Sequence, residues 1–163
     1  MSSIPISIEG YDKLKRELED LKNERPAVIQ AIAEAREEGD LRENAGYDAA
    51  KERQGMLEAK ISHIESRLPL MQVVDLRTMQ GDTALFGATV EIEDIETEEV
   101  KKYTILGPDE ADHANGSISI LSPVAQALLG KSVGDEVVVH APRGAIEYEI
   151  ISIRFLAAEA ASK

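Results

Sequence analysis

The sequence predicts an α+β protein: an N-terminal antiparallel α-helical coiled-coil hairpin, then a small, mostly antiparallel sheet domain with one short helix. Three observations carry this. Two heptad seams run through the first half of the chain. After about residue 75 the apolar pattern changes from a helical period to alternation. Apolar residues make up 43% of 163, enough to bury a core and exclude wholesale disorder.

In the first arm Leu14, Leu18, Leu21, Val28, Ile32 and Ala35 follow four-three spacing, with Arg25 in the one skipped core slot. In the second, Tyr47, Ala50, Gln54, Leu57, Ile61, Ile64 and Leu68 alternate steps of three and four. Two such seams in one chain predict an intramolecular antiparallel pairing. Ser7 is expected to cap the first helix. Pro26 is expected to remove a hydrogen bond inside it and kink it. Gly39 stands where a glycine closes a helix, and Asp40 where the second helix would begin. Pro69 marks the end of that helix. Arms of about 28 residues at 1.5 Å per residue give a hairpin roughly 40 Å long.

Beyond a turn-rich stretch at 80–84, Thr89 to Glu93 and Tyr103 to Leu106 alternate like half-buried strands, with a hairpin tip at 96–99 between them. Ser117 to Leu121 reads as a third strand. Ser122-Pro123 opens a short helix, Ser as cap and Pro at the first helical position, and Gly130 closes it. Glu136 to His140 and Ala145 to Phe155 are two further strands, joined through Pro142-Arg143-Gly144. The expected domains are a hairpin over 1–76, a sheet domain over 77–157 and a flexible tail over 158–163.

Composition removes several function classes. There is no Cys, hence no disulfide frame, thiolate zinc site or thiol nucleophile. Trp is absent and aromatics are 4%, which leaves little for a base-stacking platform. The N-terminus lacks the basic and apolar regions of a signal peptide, and no apolar run reaches the roughly 20 residues of a membrane span. A soluble, cytoplasmic protein with no membrane partner is expected. Acids number 31 against 18 bases, a net charge of −13. Such a surface repels free nucleic acid, so any action on RNA or DNA requires a protein partner or a small basic patch.

The usual catalytic constellations are missing. His63, His113 and His140 do not cluster at metal-ligand spacing, and there is no Gly-rich phosphate loop or nucleophile elbow. Ser122 is explained by its capping role. The hairpin turn, Glu37-Glu38-Gly39-Asp40-Leu41-Arg42-Glu43-Asn44, is different: it gathers four acids at the far end of a rod. Two readings fit Asp40 and Glu43. Asp-x-x-Glu before a heptad run is a capping box, favoured further by the positive end of the helix. Three residues apart at a helix start, the same carboxylates can also face one way and ligate a metal. Two carboxylates are an incomplete cage for Mg²⁺, which takes six oxygens, so such a site would complete one belonging to something else. Arg36, Arg42, Lys51 and Arg53 form a modest basic set nearby, either solvated charge pairing or phosphate contacts.

The stretch Ala33 to Glu52, centred on Gly39-Asp40-Leu41-Arg42-Glu43-Asn44-Ala45-Gly46-Tyr47, closely resembles the hairpin tip of the bacterial transcript-cleavage (elongation) factors, the GreA/GreB family. The likeness continues in Phe86 to Val90, Asp109 to Asp112, Ser122 to Ala125, Leu129 to Lys131 and Gly134-Asp135, and spans about residues 4–156. The small basic set is nearer the GreA side of the family.

The resemblance implies a sheet domain with an FKBP-like fold that docks on RNA polymerase, and a coiled coil that enters the polymerase secondary channel. Asp40 and Glu43 match the family's tip acids. They would help hold an Mg²⁺ shared with the polymerase, none being bound by the chain alone, and would orient the attacking water as the polymerase cleaves backtracked RNA. The chain would then be a catalytic cofactor and not a free-standing enzyme. It would meet the nascent RNA 3′ end within the elongation complex, and DNA only indirectly through the polymerase; a monomer is expected. Arg36, Arg42, Lys51 and Arg53 match the RNA-facing basic patch. Ser122 and Pro123 match the polymerase-docking loop. Tyr47 stands near the tip, to pack there or touch the transcript. Leu121 occupies a position often polar in relatives, and Gly46 one often larger, loosening the helix start by about 1 kcal/mol relative to Ala.

Three alternatives compete. A polymerase-channel inhibitor of the same architecture would alter the tip acids or flip the C-terminal domain; the retained Gly39-Asp40 and Glu43-Asn44 argue against it. An FKBP-like isomerase or chaperone would need an aromatic-lined proline pocket, which 4% aromatics hardly supply. A pure helix-binding protein would keep a second apolar face on its heptads, and these do not.

Overall fold

The structure, a computed structural model, describes residues 3–39 and 44–156. The chain divides into two compact units, Asp12–Leu70 and a second that joins Met1–Tyr11 to Met71–Lys163. The sequence places its boundary at 76/77. In the folded chain the division falls at 70/71, and the first eleven residues belong with the sheet.

The helical unit is built from α1 (Ile8–Asn23, whose first turn belongs to the other unit), α2 (Arg25–Glu37) and α3 (Ala45–Arg67). Val28, Ile32, Ala50, Leu57 and Ile61 form its buried core, and Leu18, Leu21, Ala31 and Tyr47 pack against it. These are largely the expected seam residues. Arg25, in the skipped slot, is half-buried and reaches across to α3, where Nε and Nη2 donate to the two carboxylate oxygens of Glu58 at 2.7 and 2.8 Å. Lys22 pairs with Glu65 at 3.3 Å. Moving from 22 to 25 on one arm runs from 65 to 58 on the other, so the arms are antiparallel.

Two helix ends differ from expectation. Pro26 does not kink one long helix. α1 ends at Asn23, the Glu24 N–H closes onto the Leu21 carbonyl at 3.1 Å, and Pro26 lies in the first turn of a new helix. There its missing N–H has no partner to lose. The second arm does not begin at Asp40. It begins at Ala45, capped by Asn44, whose Oδ1 accepts the Tyr47 N–H at 3.0 Å. Asp40 is therefore not the N-cap of α3. Gly39 does follow the end of α2, one residue past the C-cap Glu38, with φ +136° in the region that favours glycine. Past α3, Leu68–Leu70 forms a short 3-10 turn around Pro69.

The sheet unit holds two sheets. β1 (Ile4–Ser7) lies parallel to β2 (Met71–Val74), with Ile4 opposite Met71 and Ser7 opposite Val74. The expected cap is present, the Gly10 N–H donating to Ser7 Oγ at 3.0 Å. The larger sheet contains β3 (Thr89–Asp94), β4 (Val100–Leu106), β5 (Ser117–Ser119), β6 (Glu136–Ala141) and β7 (Gly144–Arg154), in the order β5-β4-β3-β7-β6. Three of its pairings are antiparallel, but β4 and β5 are parallel, so the sheet is mixed at that edge. The return loop 107–116 carries the chain back before β5 starts, which gives both strands the same direction. α4 (Pro123–Leu128) buries Ala125 and Leu128 among Val90, Ile92, Ile105, Val137, Val139 and Ile150.

Candidate functional site

Asp40, Arg42 and Glu43 lie outside the described residues, so the turn is defined by what flanks it. On the α2 side the last turn ends on the Ala35 carbonyl, which accepts the Glu38 N–H at 3.3 Å. On the α3 side Asn44 has an extended backbone (φ −93°, ψ 95°) and caps the helix. Its Nδ2 also donates to the Ala35 carbonyl at 2.5 Å. One side chain thus joins the end of α2 to the start of α3. Beside it the Arg36 guanidinium lies 5.8 Å from the centroid of the Tyr47 ring, within cation–π range. Tyr47 is half-buried and packs against the hairpin core.

Among the described residues, Arg36, Lys51 and Arg53 do not form one patch. Arg36 is held at Tyr47, and Lys51 lies one turn further along the same side of α3, its Nζ donating to Gln54 at 3.2 Å. Arg53 is two residues beyond Lys51, about 200° around the helix. It lines a separate groove with Leu21, Glu24, Ala49, Glu52 and Met56. Among the described residues no group of three or more His, Asp or Glu is arranged to hold a metal.

In the sheet unit, Ser122 Oγ accepts the Ala125 N–H at 3.2 Å, the cap expected from sequence. The Ser122 N–H donates to the Ser119 carbonyl at 2.9 Å, the Leu121 N–H to Ser119 Oγ at 3.1 Å, and Gln126 Nε2 to the Ile120 carbonyl at 2.7 Å. This loop is internally tied, yet Leu121 is 69% exposed, the most exposed large apolar side chain among the described residues. Pro123 beside it is also exposed.

Sequence reasoning underrated two residues. Asn44 carried a cap signal that Asp-x-x-Glu overshadowed. Glu110 bonds to Ser7, 103 positions away, and no local pattern announces that. Its carboxylate accepts the Ser7 N–H at 2.9 Å, the Gly107 N–H at 3.1 Å and the Ser7 hydroxyl.

The class so defined is a two-part factor, a helical hairpin with acids in its turn and a mixed-sheet domain with a tied, apolar-tipped loop. Two family models match. One, described as "Transcription elongation factor, N-terminal", covers residues 4–73. The other, "Transcription elongation factor, GreA/GreB, C-term", covers 79–155. Transcription elongation factor GreA of Nitratidesulfovibrio vulgaris (strain DSM 19637 / Miyazaki F) is 70% identical over 155 residues, 95% of this chain and 97% of that protein. GreA of Solidesulfovibrio magneticus is 69% identical over 95% of this chain and 94% of its own length. A crystal structure of GreA factor homolog 1 (Gfh1) of Thermus thermophilus is 27% identical over 93% of this chain and 99% of its own, with a TM-score of 0.44. The chain belongs to the GreA/GreB family of transcription elongation factors. No described helix is long and apolar enough to cross a membrane.

Proposed function

We propose that this chain binds RNA polymerase, enters its secondary channel with the hairpin, and stimulates the polymerase's own cleavage of backtracked RNA. The observation that carries the reading is the assignment of the cap. Asn44 caps α3, so the capping explanation of Asp40 at that helix start falls away. The turn carries two acids, Asp40 and Glu43, in the family's sequence pattern. As hard oxygen donors they fit an ion that takes six oxygens and leaves most of its positions to others. Asp40 and Glu43 would be this chain's ligands to an Mg²⁺ held jointly with the polymerase. The ion, when bound, would supply Lewis-acid activation of water and charge neutralisation at the scissile phosphate.

The chain's remaining residues have supporting roles. Arg36, Arg42 and Lys51 would face phosphates of the displaced RNA 3′ end, and Arg53, on another side of α3, would make a separate contact. Ser122 and Pro123 would dock on the polymerase, with the exposed Leu121 as the apolar centre of that contact. With a net charge of −13 the chain meets nucleic acid only inside the polymerase, and DNA only indirectly. It acts in the cytoplasm, as a monomer, and as a cofactor to the polymerase's reaction.

The test is a deliberately backtracked elongation complex with matched polymerase and Mg²⁺. The chain should accelerate release of short 3′ fragments, and the double variant Asp40→Asn, Glu43→Gln should abolish that while still binding. Binding without stimulation by the unaltered chain would favour a channel inhibitor of the same architecture.

A further inference from the structure

We propose that Asn44 is a positioning residue: it clasps the two helix ends and thereby holds the turn acids for the reaction proposed above, on which this inference rests. A cap needs only one bond, from Oδ1 to the Tyr47 N–H at 3.0 Å. The second bond, from Nδ2 to the Ala35 carbonyl at 2.5 Å, reaches nine residues back to the other arm. It satisfies a carbonyl in the last turn of α2, where helical partners run out. That carbonyl is itself fixed by the Glu38 N–H at 3.3 Å, so the anchor point belongs to the closing turn of the helix. The Arg36–Tyr47 contact at 5.8 Å adds a second link between the same two ends.

Residues 40–43 therefore lie, in sequence, between two anchors made by one side chain. Tethering both ends lowers the entropy of the segment between them. Groups that must meet a metal, a water and a phosphate together gain rate from that preorganisation. The chemistry selects Asn. The position needs an acceptor and a donor on one short side chain. Asp offers the acceptor alone, Ser offers a capping oxygen without the reach to Ala35, and Ala offers neither.

The test compares Asn44→Ser, Asn44→Asp and Asn44→Ala with the unaltered chain in cleavage of a backtracked complex, titrating the factor to saturation. Asn44→Ser and Asn44→Asp should keep helix content and the half-saturating concentration, but lose about tenfold or more of the saturated rate. Asn44→Ala should lose at least as much rate and also melt lower. In the free chain, the Asn44 side-chain amide protons should exchange more slowly than those of the exposed Asn23. A full saturated rate in either the Ser or the Asp variant would overturn the proposal, as would a loss confined to binding, or Asn44 exchange as fast as that of Asn23. An unaltered chain that fails to stimulate cleavage, with slow Asn44 exchange, removes the positioning role together with the function it serves and leaves a structural clasp.

Discussion

Arg25 occupies a heptad slot that a coiled coil ordinarily fills with an apolar side chain. Its two bonds to Glu58 cross the hairpin at one point and favour one register. The bonded guanidinium holds the Glu58 carboxyl below its ordinary value, and the carboxylate raises Arg25 in turn. For a carboxyl lowered in the folded state, the stabilisation is complete above the unfolded value and is lost as pH falls through the folded one. Glu58→Gln should therefore melt lower than the unaltered chain at neutral pH, and the gap should close as the solution is acidified below the carboxylate range. Thermal melts across pH read this directly; a constant gap would mean that the pair contributes through packing and not charge.

Glu110 sets a second test at the same scale. Glu110→Ala leaves the Ser7 and Gly107 N–H groups without their acceptor and should cost about 1–3 kcal/mol in denaturant unfolding. Gly107→Ala should also destabilise, by about 1–3 kcal/mol, because a Cβ there would run into the Pro5 carbonyl oxygen. The heptad residues and the Ser7, Gly39 and Ser122 helix-end signals were legible because each is a local pattern. Glu110 was not, since its partner Ser7 ends a strand about a hundred residues earlier.

Among the elements, the break between α1 and α2 is the clearest departure from the sequence reading. A proline looks the same in sequence whether it interrupts a helix or opens one. Here Glu24 closes α1 and Pro26 falls in the first turn of α2, where it is tolerated. Pro26→Ala should change stability by less than about 1 kcal/mol, against the roughly 3 kcal/mol that removing an interior helix proline restores. Chemical denaturation of the two chains decides between these values. The strand β1 was illegible for another reason. Four residues containing a proline are too short to read as a strand, and the pairing with β2 is created only once the chain returns at Met71. The parallel edge at β5 was hidden likewise, because strand direction depends on the path of the 107–116 loop and not on the strand's own residues. The strands β3, β6 and β7 were found close to their limits, whereas β4 begins at Val100, three residues before the alternation read at Tyr103.

At the scale of the molecule, two family models match the chain and it divides into two compact units. If docking belongs to the Ser122–Pro123 loop and chemistry to the turn, their variants should fail differently. Altering Ser122 and Pro123 should raise the concentration of factor needed for half-maximal cleavage and leave the saturated rate intact. Altering the turn acids should do the reverse. Equal loss of both quantities in both variants would mean that the two parts do not divide the work. The turn acids stand out in sequence by their density and spacing; Asp40 and Glu43 lie outside the described residues, and the cap of α3 is Asn44.

The most direct measurement is the Mg²⁺ dependence of transcript cleavage in backtracked complexes at saturating factor. If Asp40 and Glu43 supply ligands to a shared ion, the unaltered chain should lower the Mg²⁺ concentration needed for half-maximal cleavage relative to polymerase alone. The Asp40→Asn, Glu43→Gln variant, still bound, should return it to the polymerase value. A variant that loses rate with the Mg²⁺ dependence of the unaltered chain would contradict the shared-metal account.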